Sequence, residues 1–386
     1  MEAMQNKHHK VNWVDGMKIN KNHFIAMENW VSEILRYSEQ KNVSPIDYGL
    51  LAPPENHEGS LDVMVSVDGQ STIDVVLNAC QAITLGGCQI DIDSRIRSEL
   101  EKSGNSLSQR FELNEEEKEW LLVLFVNMFK RIPIGISDSQ EEPPRQPHVL
   151  PYYSLQAMPI DEIKGQGYGH NYLPIARLFR ENGKITVDAS FIPPCRSIQS
   201  HPDLKFTYNE LGSFLNQMES YSLHITQKIY QKKQTNDLAN MALYLSEQVM
   251  RYLNQNITEF RFVDRHGPPI GMISKLVNLA RVIKSSLDVY VGGGKENFLN
   301  YLTNWCDLNQ GAFESILMET INLDYTHNNI NSTLAKVSAF TKLMLALFKK
   351  LSELDYIGKK ADSGIFVKEE TVDNTEVKGR RSFLLD

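Results

Sequence analysis

Hydrophobic positions follow two different periods along this chain, and the change falls near residue 200. Before that point, short runs rich in β-branched residues alternate with polar positions and are bounded by Gly, Pro, Asn and Ser. This pattern predicts β-strands. The runs cover residues 61–67, 73–77, 120–129 and 184–188. Several strands of this kind favour a sandwich or a barrel over a helical array.

After residue 200, apolar residues recur at intervals of three and four, a spacing typical of bundled helices. The stripes cover residues 211–225, 238–252, 270–287, 298–308 and 334–354, with Gly-, Pro- or Asn-rich breaks at 266–269, 292–294 and 328–332. We therefore predict an up-and-down helical bundle over residues 201–357. Its aromatic residues Trp305 and Phe313 are candidates for exposed contacts between protomers.

One more helix is predicted near the amino terminus. From Phe24, the apolar positions Met27, Trp30, Val31, Ile34 and Leu35 recur at three and four residues. This one-sided pattern predicts a helix that packs on a sheet.

The residues before this helix predict a turn. Trp13 and Met17 flank Asp15-Gly16, a dipeptide that favours a hairpin turn because glycine tolerates positive φ. We interpret His23 as a hydrogen-bonded structural histidine, because no second histidine, cysteine or paired carboxylate stands beside it at ligand spacing.

Composition excludes several function classes. The chain has 386 residues, enough for two or more domains, with 41% hydrophobic and 23% charged residues and a net charge of -8. The acidic balance and the lack of a Lys/Arg block argue against nucleic-acid binding. Four cysteines without Cys-x-x-Cys spacing indicate reduced thiols in a cytoplasm. Residues 1–10 are too polar for a signal peptide, and no run approaches the roughly 20 apolar residues that span a bilayer.

The motifs that could carry chemistry are incomplete. Gly292-Gly-Gly-Lys295 resembles a phosphate loop, but Glu296 stands where a Ser or Thr would bind magnesium. Asp91 and Asp93 could hold a cation, although a polar strand end beside Arg95 and Arg97 is the commoner explanation. Residues 165–169 lack the spacing of a dinucleotide site. We therefore expect no catalytic residue, cofactor or metal, and a protein that is not an enzyme.

Two ordered motifs carry a family resemblance. The first is Trp13-x-x-Gly16-Met17 followed by His23-Phe24; the second is Pro174-Ile-Ala-Arg177, a turn at Gly183 and Ile192-Pro-Pro194. Together they resemble the TssK family of bacterial type VI secretion baseplate proteins. The resemblance covers residues 11 to about 355 and implies an α+β multidomain protein. Residues 1–200 would form a β-sandwich-like shoulder domain, and residues 201–357 a neck domain.

The resemblance also implies a role and partners. Members of the family are structural homotrimers that bind the baseplate wedge of TssF, TssG and possibly TssE, at the cytoplasmic face of the inner membrane. For this contact we expect Trp13, Met17, His23 and Phe24, together with three residues of an exposed Pro-rich loop, Pro143, Pro144 and Pro147. The alternative for Trp13 and Phe24 is that they are ordinary core residues.

Two points stay open at this stage. Residues 358–386 are too few for the carboxy-terminal domain with which the family docks on the envelope complex, so a short polar tail is expected there and its docking partner is unknown. The rival functions are a phage-like receptor-binding protein or adhesin, and a metal-dependent enzyme that uses Asp91, Asp93 or His170.

Overall fold

The computed structural model describes residues 8–53, 59–68, 71–166, 169–305 and 309–358. It divides into two units. The N-terminal unit contains the residues up to Leu204 and also the short segment Thr326–Asn331. The C-terminal unit contains Lys205–Tyr325 and the residues from Ser332. Sheets in the first unit and helices in the second confirm the α+β multidomain fold. The predicted tail lies outside the described residues, apart from Gly358.

Two antiparallel sheets build the N-terminal unit. In the first, the long strand β3 (Thr72–Ile83) pairs with each of the others, which are β1 (Gly49–Leu50), β2 (Leu61–Asp68), β4 (Gln89–Ile92) and β5 (Ser108–Glu112). The second has the order β7-β6-β8-β9, from β6 (Glu119–Ile134), β7 (His148–Pro159), β8 (Tyr172–Glu181) and β9 (Lys184–Val187). All four predicted strands are present: three lie within β2, β3 and β6, and the fourth matches β9 apart from residue 188.

The burial of these strands follows their sequence pattern. In β3, Ile73, Val75 and Leu77 are fully buried, while the residues between them are partly exposed. This is the alternation expected when one face of a sheet covers a core. In β6, by contrast, Trp120 to Leu124 are buried without a break. The continuous apolar run of β6 therefore marks a strand covered on both faces.

The N-terminal unit also contains helices α1 (Lys21–Gln40), α2 (Ser94–Lys102) and α3 (Ile160–Gln166). The segment Thr326–Asn331 joins this unit through His327, whose Nε2–H donates to the backbone oxygen of Tyr48 at 2.8 Å. The two rings lie 5.0 Å apart, and the Tyr48 hydroxyl bonds Asn328. Residues almost 280 positions apart thus share one core.

Six helices are described in the C-terminal part of the chain: α4 (Pro202–Gln231), α5 (Asp237–Phe262), α6 (Ile270–Asp288), α7 (Gly293–Thr303), α8 (Gln310–Ile321) and α9 (Ile330–Glu353). The predicted apolar stripes form their buried faces. Helix α8 was not among those stripes. Its Phe313 is completely buried, so the expectation that this ring is exposed was wrong. Trp305 is half-buried, with the Lys350 ammonium 5.6 Å from its ring.

Candidate protein-binding surface

The amino-terminal segment forms a turn and then caps a helix. Gly16 has φ +80°, and the Met17 N–H donates to the Val14 oxygen at 3.2 Å. The predicted turn is therefore present, but no strand flanks it among residues 8–20, so the hairpin was wrong. Asn20 caps α1 by accepting from the Asn22 N–H at 2.9 Å.

His23 completes this cap. Its Nδ1 accepts from the Asn20 N–H at 3.2 Å, which forms the second half of a capping box. The histidine therefore has the structural, hydrogen-bonded position that its isolation in the sequence indicated. The Trp13 ring lies beside this cap, 6.1 Å from the His23 ring and 6.4 Å from the Phe24 ring. The structure thus brings three of the predicted contact residues together.

These aromatic side chains are not core residues. Trp13 is 47% exposed and Phe24 51% exposed, and Met17 and His23 are half-buried. Val14 and Ile19 beside them are also exposed. The alternative that Trp13 and Phe24 belong to the core was therefore wrong.

Helix α1 turns its apolar side to solvent. Phe24, Met27, Val31, Ile34 and Leu35, which we name the α1 stripe, are between 38% and 61% exposed. The residues that α1 buries are Glu33 and Arg36. The expectation that the apolar side packs on a sheet was wrong, because polar contacts hold the opposite side.

Several contacts fix this orientation. The Arg36 guanidinium donates to the Gly86 oxygen at 2.9 Å, and Glu33 accepts from the His8 N–H at 2.6 Å. Glu28 forms an ion pair with Arg131 at the far end of β6. Gly87 approaches the helix so closely that a Cβ there would lie 2.3 Å from the Arg36 oxygen. Rotation of α1 would break all of these contacts.

The amino-terminal segment and α1 expose many large hydrophobic side chains. Nine large hydrophobic side chains between residues 13 and 37 are exposed: Trp13, Val14, Ile19, Phe24, Met27, Val31, Ile34, Leu35 and Tyr37. A typical monomer has a largest exposed apolar patch of roughly 300–600 Å², and such patches mark binding sites. Sequence reasoning found the apolar row that begins at Phe24 but expected it to pack on a sheet. Its exposure to solvent was not predicted.

The Pro-rich loop forms a separate surface. It connects β6 to β7, and Pro143, Pro144 and Pro147 are exposed, as is Ile136, by 93%. Arg145 closes the loop through an ion pair with Glu141 at 2.7 Å, and its backbone oxygen accepts from the Asp138 N–H at 3.3 Å. Among the described residues, no hydrogen bond, ion pair or ring contact joins this loop to Trp13, His23 or Phe24.

The residues considered for chemistry have structural partners. Asp93 caps α2 by accepting from the Ile96 N–H at 2.7 Å, and Asp91 accepts from the Gln81 amide at 3.2 Å. The backbone oxygen of His170 accepts from the Gly86 N–H at 2.7 Å. Within the described ranges, no group of three His, Cys, Asp or Glu side chains is placed to hold a metal ion.

Lys295, the lysine of the glycine-rich motif, lies between two carboxylates. Its ammonium is 2.7 Å from Asp288 and 3.1 Å from Glu314. Hydrogen bonds from Lys284 and Lys295 lower the pKa of Asp288, and the bond to Asp288 raises the pKa of Lys295. To bind a phosphate, Lys295 would first have to break both of these ion pairs.

A groove of about 300 Å³ lies between α4 and α5, lined in part by Tyr208, Asn216, Phe260 and Arg261. Its polar groups bind one another: the Tyr208 hydroxyl donates to the Phe260 oxygen at 2.9 Å, and Arg261 donates to Asn216 at 2.8 Å.

None of the described helices is both long and apolar enough to cross a membrane.

One family model matches part of the chain. Residues 136–279, a little over a third of the chain, match the model of a family described as bacterial type VI secretion, VC_A0110, EvfL, ImpJ, VasE. The match runs from the Pro-rich loop through β7, β8 and β9 and through α4 and α5 into the first half of α6. No curated protein sequence matches the chain.

Solved structures of low identity are also similar to it. A crystal structure of TssK is 17% identical, with a TM-score of 0.49 over 89% of this chain and 69% of that chain. A TssK–TssF–TssG baseplate subcomplex of the type VI secretion system is 14% identical, with a TM-score of 0.47 over 90% and 99%. TssK from the EAEC type VI system, bound to a nanobody, is 14% identical, with a TM-score of 0.43 over 84% and 97%.

Proposed function

We propose that this protein is a structural component of a type VI secretion baseplate, a trimeric connector that binds the wedge proteins TssF and TssG. The family-model match over residues 136–279 supports the assignment to type VI secretion. The observation that carries a binding role is the exposed apolar surface that begins at Trp13. Nine exposed hydrophobic side chains within 25 residues are costly to leave in water and are best explained by a protein that covers them.

The proposal assigns the wedge contact to the amino-terminal segment and the Pro-rich loop. Trp13, His23 and Phe24 form an aromatic cluster at the capped end of α1, and Met17 lies in the turn before it. Pro143, Pro144 and Pro147 lie on the loop that Arg145 closes. Rigid aromatic residues and prolines lose little conformational entropy on binding, which makes them effective contacts. The roles of TssE and of an envelope complex as further partners belong to the same proposal.

Light scattering tests the proposal directly. Three copies of the 44.1 kDa chain predict a mass of 132.3 kDa, and a heavier species should form with TssF and TssG of the same organism. A Trp13→Ala, Phe24→Ala double variant should lose that heavier species. The matched control is Phe262→Ala, because Phe262 is also exposed but lies at the end of α5. A native chain that stays at 44.1 kDa and ignores both wedge proteins would overturn the proposal.

A further inference from the structure

Strand β2 lies at the end of the first sheet and pairs only with β3 among the described strands. On the opposite side of β3, the Leu77 N–H donates to the Leu107 oxygen at 3.0 Å, so the backbone groups of Leu77 face β5 and not β2. Leu77 is the β3 partner of Val63. Because opposite residues of an antiparallel pair either bond each other or both point away, the N–H and oxygen of Val63 point away from the sheet.

The same alternation makes a row along β2. Val65 and Val67 follow Val63 at intervals of two and lie opposite Val75 and Ile73 with no further shift of register. Their backbone groups also point outward, which gives three donors and three acceptors at intervals of about 6.8 Å. No hydrogen bond to another described residue fills this row. An unpaired edge of this kind is a template for another strand.

The other strand edges that the structure describes are short or blocked. At the edge of β7, the Asn105 amide replaces a neighbouring strand, because it donates to the Tyr153 oxygen at 2.7 Å and accepts from the Tyr153 N–H at 3.1 Å. Pro151 and Pro159 remove two further donors from that edge. Strands β1, β4, β5 and β9 have five residues or fewer, and short edge strands resist pairing. Strand β2 has eight residues, with no proline and no lysine.

The side chains of β2 define what an added strand would carry. Val63 and Val65 are partly exposed, while their β3 partners on the same face are fully buried. Apolar residues at alternate positions of an added strand would complete the cover of that face. On the other face, Asp62 and Asp68 lie at the two ends of β2, and Met64 between them is 63% exposed. Carboxylates favour lysine or arginine on a neighbouring strand.

Both carboxylates are accessible to such a partner. Asp62 is exposed and forms no ion pair with another described residue. Arg110 lies 3.4 Å from Asp68 but closer to Asp74, at 2.6 Å. A basic residue beside Asp68 would therefore replace water and would not have to break a buried ion pair. Strand β9 of the second sheet passes near β2, but its hydrogen bonds are to β8.

We propose that β2 receives an extended segment of another protein as an added strand, and that this segment alternates apolar residues with lysine or arginine. Backbone hydrogen bonds to Val63, Val65 and Val67 align the segment, and the side chains on the two faces of β2 select its sequence. This inference rests on the strand edges and does not depend on the proposed function.

Hydrogen exchange of the full chain, measured residue by residue by NMR, tests the edge itself. At low micromolar concentration, the Val65 amide should exchange about tenfold or more faster than the Met64 and Ser66 amides, because only those two bond β3. Protection of Val65 that disappears on dilution would show that a second copy of the chain covers the edge. Protection at every concentration would show that the chain covers its own edge. Either result overturns the proposal.

A capped seven-residue peptide of alternating lysine and valine is the probe for binding. At millimolar concentration it should slow exchange at Val63, Val65 and Val67 by about fivefold or more, and it should leave the outward amides of β5 unchanged. A peptide of alternating glutamate and valine should slow them far less, because Asp62 and Asp68 repel it. No slowing by the lysine peptide, or equal slowing by both peptides, overturns the proposal.

A proline in the edge should abolish the effect. Val65→Pro removes an outward donor and leaves the bonds between β2 and β3 in place, so slowing at Val63 and Val67 should be lost. Glu112→Pro is the matched control, because the Glu112 N–H points outward from β5, and it should retain the slowing. Slowing that persists in Val65→Pro overturns the proposal.

A second variant covers the case in which Val65→Pro does not fold, as circular dichroism would show. Met64→Lys keeps every backbone group of β2 and adds a positive charge to its exposed face. It should weaken the lysine peptide by about threefold or more and strengthen the glutamate peptide. Unchanged responses to both peptides would overturn the proposal.

Discussion

Helices α1 and α9 have similar apolar periodicity and opposite environments. In α9, Val337, Phe340, Met344 and Leu347 are buried. In α1, the corresponding row is exposed and the buried residues are Glu33 and Arg36. Periodicity therefore establishes that a helix has an apolar side. Whether the same chain covers that side depends on contacts distant in sequence.

The prediction with the largest expected change in stability compares two phenylalanines, one in each helix. Phe340→Ala should lower the free energy of unfolding of the C-terminal unit by about 3–5 kcal/mol, because it removes a fully buried ring. Phe24→Ala should have a much smaller effect on the isolated chain, because its ring is half exposed. Denaturant titration followed by circular dichroism measures both. Equal losses would show that Phe24 is a core residue after all.

The buried polar side of α1 is the next test. Arg36→Ala should lower the free energy of unfolding by about 3 kcal/mol, because Glu33 and the Gly86 oxygen lose a buried partner. Arg145→Ala serves as the control, since its ion pair with Glu141 lies in an exposed loop and such pairs contribute little. The same titration applies. A loss no larger than that of the control would mean that Arg36 does not hold the helix.

Two glycines with similar φ separate close packing from backbone strain. Gly87→Ala should cost about 2–3 kcal/mol of unfolding free energy, since the strained φ of +79° is combined with a Cβ that meets the Arg36 oxygen. Gly16→Ala should cost only about 1 kcal/mol, because φ is +80° but nothing lies within 4 Å. Hydrogen exchange should show α1 loosened in the first variant alone. Equal losses of unfolding free energy in the two variants would show that the close approach of Gly87 to α1 does not contribute.

The smallest effect concerns pH. Burial lowers the pKa of His327 from its ordinary 6.5, against weaker raising contributions from its bond to Tyr48 and from Asp47. Because the unfolded chain then binds the proton first, stability should fall as pH falls below about 6.5, by at most about 1.4 kcal/mol per pH unit. His327→Gln should show a shallower slope between pH 7 and 5.5. His201, whose pKa burial also lowers, contributes equally to both proteins and cancels.

Local pattern accounts for much of this fold. The strands within β3 and β6 and the buried faces of α4, α5, α6 and α9 could be predicted, because their periodicity and their burial agree. Helix α8 was missed, since its 12 residues carry only a weak stripe. The outward side of α1 could not be predicted from amphipathicity, because the deciding contacts join residues 50 to 103 positions apart.

The candidate surface was predicted in part for the same reason. Trp13, His23 and Phe24 lie close in sequence, and the cap that brings them together is local. Their exposure depends on where α1 lies against the sheets. The place of His327 in the N-terminal unit had no local signal either, because residues 328–332 read only as a break before the last helix.

That segment has a consequence for how the protein is made. Since Thr326–Asn331 belongs to the N-terminal unit, a ribosome must translate most of the chain before that unit has all of its residues. The sheets can assemble early, but the contact between Tyr48 and His327 cannot form until α4 to α8 have been synthesised. A nascent chain that stalls after residue 204 would lack His327 and Asn328, which contact Tyr48 in the complete unit, and incompletely packed chains are substrates for chaperones.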